Sequence, residues 1–458
     1  MGKLIEPDDI IRAAKLNKIG GVGTAKILML LLRINRINKL YAEFKDAEGL
    51  EFIDRLIAEL KISYEINEEE LDRIPKSGPF ITVSNHPYGG IDGMLLVKLI
   101  SSVRKDYKVL ANFLLQRLDP VKDFILPVNP FEDRKSIRSS LAGIKYALKH
   151  LDEGNALGIF PAGEVSSYNL HSVGISDKQW EVPVLKMIKK AEVPVVPIYF
   201  TGNNSRLFHL LGLIHPSLRT ARLPSELFNK RKKPIRIRIG NPISVREQNE
   251  FKDIPRFGRF LRAKTYALGS PLEVKKFFRP SLSRSPRVED IIPATDSEII
   301  EQEVNQLKER YLLFESGDFQ VYCTPSFYIP YLMNEIGRLR EKTFRLIGEG
   351  TNRAMDVDEF DLYYHQLFVW DNNAKKIVGA YRVGKGKEIM NQYGVRGFYI
   401  HSLFKTSSRF KPVLEQSLEL GRSFIVEEYQ KKPLPLFLLC KGILYFLLKN
   451  PEYRYLIG

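Results

Sequence analysis

Ser84-Asn85-His86-Pro87-Tyr88-Gly89-Gly90-Ile91-Asp92-Gly93 sets an imidazole and a carboxylate six positions apart, with two glycines between them. A neutral histidine held by an aspartate is a general base. It can take the proton of a hydroxyl as the oxygen attacks a thioester. Six residues of helix rotate by about 240°, so the pair cannot meet on one helix face and the chain must turn between them. Pro87 discourages helix through His86, and Gly89 and Gly90 permit the positive φ values of a turn. The plainer alternative is a turn histidine followed by a helix-capping Asp92.

Three further stretches carry groups that belong with such a base. Phe160-Pro161-Ala162-Gly163-Glu164-Val165-Ser166 is a glycine-containing turn with an acid. Asn129-Pro-Phe-Glu-Asp-Arg134 supplies a cation, and Val193-Pro-Val-Val-Pro-Ile-Tyr-Phe200 is an apolar run broken by two prolines. Much later, Glu349, Asp356, Asp358, Glu359 and Asp361 crowd together ahead of His365. A surface loop is the bland reading of that run. It lacks the spacing and central glycine of a calcium-binding loop, and no second histidine or cysteine stands at ligand spacing, so no metal is expected.

The elements that must position these groups emerge from the apolar pattern. Residues up to about Leu71 look helical. Phe80–Val83, Lys108–Leu110, Ala156–Phe160, Val193–Tyr199 and Ile235–Ile239 read as strands, with helices such as Ile137–Leu151 and Val182–Lys190 between them. That alternation implies an α/β sheet, in which loops at strand ends hold the chemistry. Pro, Ser and Arg dominate from Ser270 to Pro286, marking a linker. A second α/β unit comes next, with strands at Gly317–Cys323, His365–Trp370 and Ile377–Val383, a helix at Pro330–Phe344, and a turn at Asp371–Lys376. The expected boundaries are a helical segment over 1–70, a first domain over 71–270, a linker over 271–305 and a second domain over 306–458. The final stretch, Asn450 to Gly458, reads as a strand entering a turn.

Composition narrows the partners. The 458 residues carry a formal net charge of +16, which calls for something negative. Between Phe228 and Arg287 stand 17 Lys or Arg against four acids. Two cysteines are too few for a disulfide framework, so a reducing, intracellular setting is expected. The first residues lack the order of a signal peptide, and no apolar run approaches the ~18 residues of a membrane span. Ala25–Arg33 and Leu434–Leu448 come nearest; each reads as a core helix or a segment lying on a membrane surface. Aromatic residues do not interleave with the basic run as in an RNA-binding motif, so nucleic acid is not expected as a partner.

In this order the first set of motifs, from Lys76 to Ile243, resembles the PlsC-type glycerolipid acyltransferases. The resemblance implies that His86 is the general base, that Asp92 orients it, and that Asn85, Arg134, Pro161, Gly163 and Glu164 bind substrate. It also implies an acyl thioester donor and a lipid hydroxyl acceptor. Two departures stand out. Five residues rather than four separate the histidine from the aspartate, and the glutamate comes two places late, after Ala162. In that family the glutamate and arginine are associated with a glycerol phosphate acceptor, so the displacement points to a hydroxyl on another lipid.

The second unit is similar to GNAT-like (hemolysin-like) acyltransferases that form amino-acid lipids, and more distantly to acyl-homoserine-lactone synthases. The matching pieces are Arg338-Leu-Arg340, Phe344, Glu349, Asp358, Asp361, His365, Val378-Gly, Arg382, Glu419 and Arg422. This likeness implies amide formation, with Glu349, Asp358 or Asp361 as the base and Arg340, Arg382 and Arg422 as binding groups. It also implies a domain that continues beyond Gly458. Together the two halves resemble bifunctional synthases of ornithine or glycine lipids. The joint resemblance implies a bacterial enzyme, cytoplasmic and peripheral on the inner face of the inner membrane. It would need no cofactor, taking acyl-ACP or acyl-CoA as donor, and would meet acyl carrier protein and an anionic membrane surface as partners. The rival expectations are a lysophosphatidate acyltransferase with an accessory second domain, and a basic binding protein without activity.

Overall fold

The structure, a computed structural model, describes residues 6–8, 23, 26–27, 29–30, 32–44, 46–112, 118–128, 137–168, 175–214, 216–229, 234–270 and 288–458. The chain divides into two compact units, Met1–Gly269 and Ser270–Gly458.

In the first unit, helices α1 (Ile34–Phe44) and α2 (Leu50–Glu59) precede β1 (Tyr64–Ile66) and β2 (Phe80–Ser84). Then come α3 (Gly90–Ser101), β3 (Lys108–Asn112), β4 (Ile125–Val128), α4 (Ile137–Asp152) and β5 (Ala156–Ile159). The short strands β6 (Ser167–Tyr168) and β7 (Ile175–Ser176) pair with each other. Next are α5 (Val182–Ala191), β8 (Val195–Phe200), α6 (Arg206–Ile214), α7 (Pro216–Glu226), β9 (Ile235–Ile239) and α8 (Ile254–Ala267). Among the described residues seven strands lie in the order β1-β9-β8-β2-β5-β3-β4. All pairs are parallel except β8 with β9.

The apolar runs are explained by burial on both faces. Phe80 and Val196 enter one core with Ile53 and Ile57 of α2 and Leu95 and Ile100 of α3. Their neighbours Ile81 and Val195 enter the other, with Leu151 of α4, Ile188 of α5 and Leu261 of α8. Successive side chains of a strand point to opposite faces, so a sheet covered twice needs apolar residues at both. Central strands announce themselves in this way. Edge strands β1 and β4 are three and four residues long and carry no such signal, so Tyr64–Ile66 falls inside a stretch that reads as helical.

Among the described residues the second unit holds a six-stranded sheet in chain order. Its strands are β10 (Leu312–Ser316), β11 (Phe319–Pro325), β12 (His365–Asp371), β13 (Lys376–Lys385), β14 (Ser417–Ile425) and β15 (Tyr455–Ile457). Neighbours are antiparallel up to β14, and β15 is parallel to it. One face packs on α9 (Ser297–Tyr311) and α10 (Pro330–Leu346) through Tyr322, Phe368, Val304 and Ile336. The other packs on α11 (Pro433–Lys449) through Val321, Leu367, Leu439 and Ile443. The β12–β13 turn forms where Asp371–Lys376 predicts it, with Asp371 accepting the amides of Asn373 and Ala374 at 3.0 and 2.9 Å. Two α/β units are thus present, as the pattern of apolar runs anticipates.

Helix α11 is core on one side only. Leu438, Leu439, Ile443 and Phe446 are buried, whereas Leu434, Phe437, Leu444 and Leu448 are exposed. Among the described residues no helix is long and apolar enough to cross a membrane. Within Ala25–Arg33, residues 25, 28 and 31 lie outside the described residues; of the others, Met29 is buried while Ile27 and Leu30 are exposed.

Candidate active sites

Strand β2 and strand β5 pair in parallel, with Val83 opposite Ile159, so the turns after them leave the same edge of the sheet. From Ser84 the chain passes through Asn85 and His86, turns at Gly89 (φ 86) and enters α3 at Gly90. Of the two glycines, then, Gly89 takes the left-handed conformation and Gly90 is already helical. A Cβ on Gly89 would lie 3.3 Å from Leu223 and 3.4 Å from Val165.

The turn brings the predicted pair together. His86 Nδ1 stands 3.0 Å from Asp92 Oδ2, on an oblique approach. The same oxygen accepts the amides of Tyr88 at 2.8 Å and Gly89 at 3.0 Å. The helix-capping and imidazole-facing readings are therefore one arrangement. Asp92 is fully buried. Burial raises its carboxyl above the usual range, while His86 and the two amides pull it back. The imidazole is part-exposed and stacks on Phe160, ring centres 4.1 Å apart.

Around this pair the other predicted residues divide. Asn85 is buried, and its amide spans the main chain of Phe200, donating at 2.9 Å and accepting at 2.7 Å, which extends the β2–β8 ladder past its end. In the Phe160 turn the Gly163 amide (φ 67) donates to Phe160 O at 3.0 Å, and Pro161 O accepts from Glu181 N–H at 2.9 Å. Glu164 reaches Arg219 of α7 at 3.0 Å and Lys178 at 3.7 Å. Arg134 lies outside the described residues. Sequence reasoning missed Phe160's stacking, Arg219, and Asp177, whose carboxylate accepts the main-chain N–H of His86 at 3.2 Å. Asp177 and Arg219 sit in no motif and offer no signal; Phe160 does, as the residue that ends an apolar strand.

In the second unit Asp358 and Asp361 join a buried ion-pair network. Arg382 contacts Asp358 at 2.6 Å and Asp361 at 3.5 Å, and Arg340 contacts Asp361 at 3.2 Å. Burial opposes the Arg382 cation, but Asp358 and Asp361 more than reverse that and raise its pKa. Burial likewise opposes the Asp358 anion, and Arg382 outweighs it, leaving the carboxyl below its usual range. A carboxylate so committed is a poor proton acceptor. Glu349 instead stands exposed in the loop after α10.

The three arginines differ in access. Arg340 and Arg382 are shut away, whereas the Arg422 side chain is 17% exposed and meets Asp356 at 3.4 Å. Arg422 sits at a bulge between β13 and β14 with φ 54, the left-handed region. Glu419, two residues past the start of β14, is held by other groups. It accepts the Tyr364 hydroxyl and the amides of Tyr399 at 3.0 Å and Ile400 at 2.6 Å. Burial raises it above the ordinary glutamate range. The signal for Glu419 was its place beside Arg422 on one strand.

These two α/β units, one with a histidine–aspartate loop at parallel strand ends, define an acyltransferase. Residues 18–275 match the acyltransferase family model and residues 339–440 match the acetyltransferase (GNAT) domain; the chain belongs to the acyltransferase family. It is 36% identical over 148 residues to glycine N(alpha)-acyltransferase of Bacteroides thetaiotaomicron, covering 31% of this chain and 44% of that protein. The chain thus spans less than half the length of that relative. It is 27% identical over 275 residues to lyso-glycine lipid O-acyltransferase of the same organism, covering 58% of this chain and 97% of that protein. The crystal structure of 1-acyl-sn-glycerophosphate acyltransferase from Thermotoga maritima aligns over 57% of this chain and 93% of that one, at 14% identity and a TM-score of 0.31.

Proposed function

We propose that the chain makes an aminolipid by two acyl transfers. The second unit N-acylates a small amino acid, glycine by its likeness to the N-acyltransferase, with a 3-hydroxy fatty acyl group. The first unit then O-acylates that hydroxyl. The observation that carries this reading is the 3.0 Å approach of His86 Nδ1 to Asp92 on the strand-end loop of the acyltransferase unit.

With Nδ1 turned to Asp92, Nε2 is left for substrate. It takes the proton of the hydroxyl while the oxygen attacks the thioester carbonyl. The carbon–sulfur bond then breaks, and the imidazolium returns its proton to the departing thiolate. In the second unit an amine attacks the thioester carbonyl, an acidic side chain or a water takes the amine proton, and the carbon–sulfur bond breaks as the departing thiolate is protonated. Arg422, the most accessible of the three arginines, would receive the acceptor's carboxylate.

An acyl carrier protein is the proposed donor and an anionic leaflet at the inner face of the inner membrane the proposed surface. The net charge of +16 supports both, because it steers a negative partner. The exposed leucines of α11 support the membrane.

The test is expression in a bacterium that lacks aminolipids, with extracts examined by mass spectrometry. The wild-type chain yields a doubly acylated amino acid, and His86→Ala stops at the singly acylated species. Undiminished double acylation in His86→Ala sinks the assignment of the base.

A further inference from the structure

Asp177 belongs to none of the motifs that carry the chemistry, yet it is buried against them, 1% exposed. Its Oδ1 accepts the main-chain N–H of His86 at 3.2 Å and the Ser166 hydroxyl at 2.5 Å. Oδ2 lies 3.4 Å from the Trp180 indole nitrogen. Ser166 in turn donates its amide to His86 O at 2.8 Å. Asp177 and Ser166 between them therefore hold both main-chain polar groups of His86. Asp177 is itself anchored to α8: its amide donates to the Tyr266 hydroxyl at 2.7 Å, and its carbonyl accepts from Arg262 at 3.0 Å.

The need for such a group is physical. At Ser84 the β2 ladder ends, and Asn85 takes the last place on the β8 side through Phe200. The His86 amide beyond it would be a part-buried donor without a strand partner, a loss that folded chains rarely accept. One oxygen with two lone pairs can satisfy two donors, and here the second, the Ser166 hydroxyl, belongs to the turn whose Phe160 ring lies against the imidazole. One oxygen thus ties together the two strand-end loops that meet at His86.

We propose that Asp177 is a positioning residue for the O-acyl transfer: it fixes the main chain of His86 and locks the Phe160–Ser166 turn against it. The inference rests on His86 being the base. A base displaced by ~1 Å loses on the order of a hundredfold in rate while substrate binding elsewhere persists.

The experiment uses the purified full chain with a long-chain acyl group on acyl carrier protein as donor, acyl-CoA run beside it, and N-(3-hydroxyacyl)glycine or lysophosphatidate as acceptor. Asp177→Ala, Asp177→Asn and Ser166→Ala are compared with wild type, each at a temperature where its melting curve shows it folded. Asp177→Ala lowers kcat by about tenfold or more and leaves the acceptor KM within about twofold. Asp177→Asn, whose amide oxygen still accepts the His86 N–H, restores most of the loss, and Ser166→Ala falls between. Unchanged kcat in Asp177→Ala overturns the proposal. So does a loss shared equally by the Asn variant, or one that tracks the folded fraction alone. Should Asp177→Ala not fold, Ser166→Ala decides: kcat equal to wild type overturns the clamp. Should wild type acylate lysophosphatidate and leave the glycine conjugate untouched, the acceptor proposed above is wrong. The kcat comparison on lysophosphatidate then still decides Asp177.

Discussion

Asp92 Oδ2 faces the His86 imidazole at 3.0 Å while it accepts the amides of Tyr88 and Gly89 at 2.8 and 3.0 Å. One oxygen therefore shapes the turn and faces the imidazole proposed as the base. The start of α3 doubles as the floor of the site, because an acid in the first turn of a helix is stabilised by the free amides there.

Replacing that oxygen's charge separates the two duties. Asp92→Asn retains an acceptor for the amides, so its melting temperature changes little. Yet it removes the anion beside the imidazole, and kcat for O-acyl transfer falls by on the order of a hundredfold or more. Asp92→Ala loses the cap as well, about 1 kcal/mol of stability in addition. Steady-state kinetics beside thermal unfolding reads both effects; equal melting losses in the two variants would contradict the division.

The two glycines of the turn are not equivalent. Gly89→Ala meets a φ of 86 and a Cβ 3.3 Å from Leu223, so it destabilises by roughly 1–3 kcal/mol and lowers O-acylation. Gly90→Ala adds a methyl to a helical residue with nothing within 4 Å, and stability is kept or rises by about 0.5 kcal/mol. Chemical denaturation of both variants checks the contrast.

His365 supplies a pH dependence. Its Nδ1 is closed to solvent, and burial, aided by Lys385, pushes the imidazole down from 6.5 to about 3. The folded state thus keeps it neutral while the unfolded chain protonates it below 6.5. Stability is complete above that pH and is lost as pH falls towards 3, at up to ~1.4 kcal/mol per unit. Asp356 and Glu419, raised by burial, act in the opposite sense. The difference between wild type and His365→Asn isolates the histidine. That difference should shrink steadily from pH 6.5 to 4.5 in urea unfolding; a flat difference would show that the imidazole titrates normally when folded.

Strands covered on both faces are apolar at nearly every position, so β2, β5 and β8 are legible in the sequence at nearly their true limits. Strand β9 is legible by its alternation instead, with Ile235, Ile237 and Ile239 entering one core and Arg236 and Arg238 between them. Short edge strands bury too little to write a pattern, and β1 was hidden for that reason. Gly89, Pro87 and the six-residue spacing imposed a turn between His86 and Asp92, because their backbone restrictions are local. Long-range pairing has no such local trace. That Asp177 would reach His86 across 91 residues, or that Arg219 would meet Glu164 from a helix 55 residues on, was settled when the strands took their order in the sheet. The acids around Asp358 show the same limit: the run was visible, but its neutralisation by Arg340 and Arg382 depends on which helix and strand face it. Chain neighbours determine turns, caps and burial patterns. The partner of a buried charge is chosen by tertiary packing, since a desolvated ion takes whatever opposite charge the fold brings within reach.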